Sequence, residues 1–211
     1  MKKIALFGAS GKTGQQFLIQ ALEKEYSIKA LVRNLNSIPL NSPNLELVQG
    51  DVLNLFDVEK TVEGCDVVIS LFGHVKNSPE WLQSDGTSNI IKAMKKHKIS
   101  KIVSLSGGGL PYPEKDEPKF MDKVIRTIMS IAVPKILNDA IKHGGLLRNS
   151  GLKWIIVRGP RLTNDPKVGK YSVGWVGVNA SSKIGRADLA DFILTQIDDE
   201  TYNYQMPFIS Y

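Results

Sequence analysis

The chain has 211 residues, 42% of them hydrophobic, which allows one domain with a substantial core and argues against two independent ones. Its formal net charge of +6 comes from dispersed Lys and Arg, and the densest run, 92–101, is expected to be a solvated helix face with no nucleic-acid partner. No stretch is apolar over a membrane-spanning length and the first residues are too few for a signal sequence, so the expectation is a soluble cytoplasmic protein with no membrane partner.

Residues 4–7 form a short apolar run, the first predicted strand. It leads into GASGKTG, residues 8–14, after which Phe17, Leu18, Ala21 and Leu22 recur on one face of a 3.6-residue period. Strand, glycine turn and helix is the order in which parallel-sheet domains hold a nucleotide's phosphates, because unpaired N–H groups at a helix start attract anions. Gly8 serves the tight turn, Gly11 lets a pyrophosphate lie against the backbone, and Gly14 lets the helix pack close to the strand. The plainer alternative is an ordinary strand-to-helix turn.

Residues 28–32 form a second strand, ending at Arg33. An NAD site usually places an acid here to accept from ribose hydroxyls. A guanidinium instead suits a 2′-phosphate. Lys12 sits in the first turn of a helix, where a cation opposes the macrodipole unless a polyanion is bound. Both favour NADP, against the alternative of two surface cations.

A third strand at 45–48 exits toward Asp51 and Val52. Asp51 is placed either to accept from an adenine amino group, with Val52 on the ring, or to cap the helix beginning near Asn54. Cys65 is the one cysteine; no intrachain disulfide is possible, which suits a reducing compartment, and Cys65 itself is expected to be a small apolar filler. The fourth strand, 67–71, is apolar throughout and exits into Phe72, Gly73 and His74. A lone loop histidine is expected to face solvent, a proton-source role being the alternative.

A helix at 81–97 and a fifth strand at 102–105 follow. Ser106 then faces the crevice at the strand ends, positioned for the nicotinamide region or a substrate carbonyl, or else for its own turn. Residues 107–118 carry three glycines and three prolines and form an irregular loop. An amphipathic helix spans 120–133, Pro134 interrupts it, and a second helix runs from 136. This region, 107–149, is expected to act as a lid or partner contact. A sixth strand at 154–157 ends in Arg158-Gly159-Pro160-Arg161-Leu162, where Pro160 fixes a turn beside the nicotinamide. A short strand at 171–178, a helix at 186–196 and a last edge strand at 205–210 complete the chain.

The alternation predicts an α/β fold: a doubly wound parallel sheet in three α/β/α layers, a Rossmann fold in a single domain. GASGKTG, Leu31-Val32-Arg33, Gly50-Asp51-Val52, Ser106 and Ser150-Gly151-Leu152-Lys153-Trp154 resemble the atypical, NmrA-like short-chain dehydrogenase/reductase group, and within it the biliverdin reductase B/flavin reductase type. The resemblance implies that Gly8, Ser10, Gly11, Lys12, Thr13 and Gly14 hold the cofactor phosphates and that Arg33 holds the 2′-phosphate. It implies that Asp51 and Val52 meet adenine, and that Phe72, Gly73, Ser106, Pro160, Arg161 and Leu162 line the nicotinamide half. No tyrosine is followed four residues later by lysine, so the Tyr-x-x-x-Lys acid pair is missing. Hydride transfer to a flavin needs mainly stacking and orientation. The expected function is therefore an NADPH-dependent reductase of a small planar acceptor, flavin- or quinone-like, with Ser106 and Arg161 at the acceptor. No metal is expected, and the chain is expected to be a monomer or weak homodimer. The alternative is a non-catalytic redox sensor of the NmrA-like kind.

Overall fold

The computed structural model describes residues 2–211. Its first half holds β1 (Lys3–Phe7), α1 (Lys12–Glu23), β2 (Ser27–Val32), β3 (Leu45–Gln49), α2 (Leu55–Val62) and β4 (Val67–Ser70). The second half holds α3 (Leu82–Lys96), β5 (Lys101–Gly107), α4 (Phe120–Ala132), α5 (Pro134–Arg148), β6 (Lys153–Gly159), β7 (Arg161–Thr163), β8 (Ser172–Gly174), β9 (Lys183–Gly185), α6 (Arg186–Thr195) and β10 (Phe208–Ser210). Eight strands form one sheet in the order β3-β2-β1-β4-β5-β6-β10-β8, parallel except between β10 and β8. β7 and β9 pair apart from it.

Helices cover both faces, so successive strand residues enter two different apolar layers. Ile4 and Leu6 pack with Phe17 and Leu18 of α1 and Leu189 of α6. Ala5 and Phe7 pack with Val58 of α2, Met94 of α3 and Leu147 of α5. A strand buried on both sides has no polar face, which is why these strands appear as unbroken apolar runs. Strand order reverses at β1, which lies between β2 and β4. The crevice at that reversal is where such sheets take their ligands.

Four local expectations need correction. β10 is not an edge strand: it lies between β6 and β8, and β8 takes the edge. The strand expected over 171–178 stops at Gly174, because Trp175 and Val178 close a turn by exchanging backbone hydrogen bonds at 2.9 Å. The two helices are interrupted at Pro134 as expected, but the second begins at Pro134 itself and not at 136. A first-turn proline has no N–H to lose, and the break falls at Val133. Asn54, not Asp51, caps α2: its Oδ1 accepts from the Phe56 N–H at 2.9 Å.

Candidate functional site

A cavity of about 350 Å³ opens at the carboxyl ends of β1 to β4. Eight of the expected cofactor residues line it: Gly8, Ser10, Gly11, Arg33, Asp51, Val52, Phe72 and Gly73. The three glycines of the turn are required for different reasons. Gly8 has φ +88°, and a Cβ there would lie 2.5 Å from the Phe72 backbone nitrogen. A Cβ on Gly14 would collide with the Gly8 carbonyl. The chain itself therefore demands both. Gly11 differs, since a Cβ there meets only the Gly8 oxygen at 3.3 Å, and at Gly73 it would meet nothing within 4 Å. Open room above the turn is what a ligand lying on the backbone needs. α1 has no side-chain cap and no acid in its first turn, so its N-terminal N–H groups remain available to an anion.

Arg33 is exposed on this cavity and has no ion-pair partner among the described residues. Asp51 shapes the exit of β3: its Oδ1 accepts from the Leu53 N–H at 2.9 Å, and its own N–H donates to Asp57 at 2.9 Å. Gly86 of α3 makes room for Phe72 and Val52, since a Cβ there would sit 2.7 Å from the Phe72 ring and 3.0 Å from Val52.

The remaining candidates are dispersed. Lys12 lines a second cavity of about 260 Å³ with Gln15, Asn164 and Arg186, which shares no residue with the one that Arg33 lines. Thr13 and Gly14 are buried in the turn. Ser106 pairs in register with Arg158 on β6, and Pro160 follows that strand. Arg161 is exposed on β7, and Leu162 packs against the α1/α6 core. None of these last four lines either cavity. Ser106 is 5% exposed, and its Oγ has no hydrogen-bond partner.

Two polar clusters escaped sequence reasoning. Arg158, fully buried, forms a two-pronged pair with Asp116 at 2.7 and 2.8 Å and also donates to the carbonyls of Leu110 and Met206. Asp116 in turn accepts from the N–H groups of Tyr112 and Val176, so the 107–118 loop is pinned to the sheet. The available signal was an arginine continuing an apolar strand.

The second cluster corrects His74, expected in solvent. Its Nε2 lies 2.7 Å from Asp139 of α5, and its side chain is 10% exposed. Asp139 also accepts from the Gln83 and Ser84 N–H groups and the Ser84 hydroxyl, capping α3 from a neighbouring helix. Burial alone would raise the Asp139 pKa, but these hydrogen bonds outweigh it and hold the carboxyl below its usual range. Nearby, His143 lies between Thr87 and Ser104, and burial pushes its pKa down to about 4. Cys65 is buried as expected, its thiol pushed up to about 11 by desolvation.

A family model described as NAD(P)H-binding matches residues 8–200. The uncharacterized protein YwnB of Bacillus subtilis is 23% identical over 210 residues, covering 93% of this chain and 92% of its own. A short-chain dehydrogenase/reductase from Veillonella parvula, solved in complex with NADP, superposes with a TM-score of 0.82 at 20% identity, over 100% of this chain and 94% of that one. ChuY from Escherichia coli O157:H7, described as an anaerobillin reductase, superposes with a TM-score of 0.79 at 19% identity, over 100% and 97% of the two chains. At such identities the structural likeness shows a shared fold.

Proposed function

The chain belongs to the NAD(P)H-binding family, and on that premise we propose that it is an NADPH-dependent reductase of a small planar acceptor, flavin- or quinone-like. The observation that carries the reading is the Ser106 hydroxyl. It is buried at the carboxyl end of a central strand with no partner. An unpaired buried polar group costs about 1–3 kcal/mol, a cost that a bound ligand atom removes.

The residues divide the work. The 8–14 turn and the uncapped start of α1 hold the diphosphate. Arg33 grips the 2′-phosphate with two donors, and Asp51 and Val52 meet the adenine. When bound, the reduced nicotinamide supplies the hydride. Ser106 orients the carboxamide or the acceptor, and the exposed Arg161 guanidinium offsets negative charge developing on the acceptor. No strong base is required. With the 107–118 loop pinned and α5 packed into the core, α4 is the part of 107–149 left to border the acceptor.

The second reading is a redox sensor that binds the nicotinamide without turnover. The missing Tyr-x-x-x-Lys pair favours it. Loss of reduced-nicotinamide absorbance with a panel of flavins and quinones decides between the two. Steady NADPH oxidation is expected; tight binding by calorimetry with no turnover on any acceptor overturns the reductase in favour of the sensor.

A further inference from the structure

Of the six α-helices, α4 alone buries no residue among the described ones. Its sequence places Phe120, Met121, Ile125, Ile128 and Ile131 on one half of the helix surface, and Lys123, Arg126 and Thr127 on the other. The five apolar side chains are 52 to 79% exposed. The helix touches the body through Met129, which a Cβ on Gly109 would approach to 2.8 Å. Its one acid, Asp122, is occupied in accepting from the Lys119 N–H at 2.9 Å. Lys119, Lys123 and Arg126 have no ion-pair partner among the described residues, and Lys135, just beyond, reaches Glu80 only at 3.6 Å.

What covers this face follows from its charge and its size. A second copy would bring the same cations to the contact, on a chain already carrying +6. The face is also small. Phe120, 79% exposed, offers on the order of 150 Å² of accessible surface, and the five apolar side chains together on the order of 500 Å² per copy. A stable interface takes about 800 Å² per partner. A bilayer surface requires neither large area nor matched shape. It accepts the apolar half of a helix lying in its plane, while flanking cations meet anionic headgroups. No helix among the described residues is long and apolar enough to cross a membrane, so lying flat is the mode open to α4.

We propose that α4 docks the protein onto an anionic lipid surface, its apolar half in the headgroup boundary and Lys119, Lys123 and Arg126 on the phosphates. Met129 rests beside Gly109, three residues past Ser106, so docking holds the loop after β5 within about one helix diameter, roughly 10 Å, of the bilayer. Resting on the reductase reading, this narrows the acceptor to a planar ring that partitions into lipid. The docking itself does not depend on that reading.

Cosedimentation of the full chain with vesicles, without cofactor or acceptor, tests the docking. Binding is expected to vesicles of mixed phosphatidylglycerol and phosphatidylcholine, and at least tenfold less to phosphatidylcholine alone or at high salt. Ile128→Asp should abolish binding while circular dichroism stays unchanged, since the side chain it replaces is exposed. The double variant Lys123→Glu, Arg126→Glu should weaken binding with the apolar half intact. No binding to anionic vesicles overturns the proposal, as does binding independent of lipid charge. A concentration-dependent dimer in light scattering that Ile128→Asp dissolves assigns the face to a second copy and also overturns it.

Discussion

The strand ends of β1 to β4 and those of β5 and β6 belong to one sheet but are held in different ways. The first group is shaped by backbone: a glycine turn, an uncapped helix start and short turns built by Asp51 and Asn54. The second is shaped by side chains reaching across the fold, Arg158 to Asp116 and His143 to Ser104. A cavity already exists at the first, whereas at the second Ser106 is buried without a partner. The cavity at the first group is open without any ligand, and on the proposed function it is the adenosine half, Ser106 belonging to the half that the nicotinamide and acceptor complete.

The largest expected effect falls on the second group. Asp116→Ala leaves Arg158 buried and unpaired and should cost about 3–5 kcal/mol in urea unfolding. Urea midpoints unchanged by this variant would remove the distinction between the two regions. Acid should act on the same half. The unfolded state of His143 takes up a proton near its ordinary pKa of 6.5, whereas the folded state resists until about pH 4. Stability from this residue is thus complete above about pH 6.5 and declines as pH falls toward 4, by about 3 kcal/mol in all. Asp139, held below its ordinary 3.8, adds a loss in the same direction at still lower pH. His143→Phe should flatten the stability profile between pH 6.5 and 4; an unaltered slope would assign the pH dependence elsewhere.

The adenosine half should respond in binding. Arg33→Asp is expected to weaken NADPH by about 100-fold and NADH far less, consistent with loss of charge-assisted hydrogen bonds worth about 1.5–3 kcal/mol. Equal losses in calorimetry would contradict the phosphate-gripping role. Gly11→Ala, whose Cβ makes a tight contact of 3.3 Å with the Gly8 carbonyl, should cost less in unfolding than alanine at Gly8 or Gly14, yet weaken the cofactor about tenfold. The smallest expected shift is from Ser106→Ala. Removing an unpaired hydroxyl should raise apo stability by about 1 kcal/mol, while turnover on the best acceptor falls. Full turnover in that variant would take Ser106 out of the site.

What could be seen in the linear sequence was whatever is local. The glycine turn, Arg33 at the end of β2 and the strands buried on both faces are each decided within a dozen residues. β7 and β9 are three residues long, too short for any period to register. Arg158 and Asp116 stand 42 positions apart, and His74 and Asp139 stand 65 apart, so neither pair leaves a trace in spacing. Asp139 did leave a compositional hint, a carboxylate among Leu137, Ala140 and Gly144 on the buried side of α5. Lys12 lines the second cavity and not the first: a helix start has two sides, and the sequence does not say which of them a long side chain takes.

The placement of β10 bears on how the polypeptide assembles. β8 joins the sheet only through β10, and β10 slots beside β6, some fifty residues earlier. During synthesis the far flank of the sheet must therefore wait, with Phe208 and Ile209 still inside the ribosome, while the glycine turn and its neighbouring strands are already free to fold.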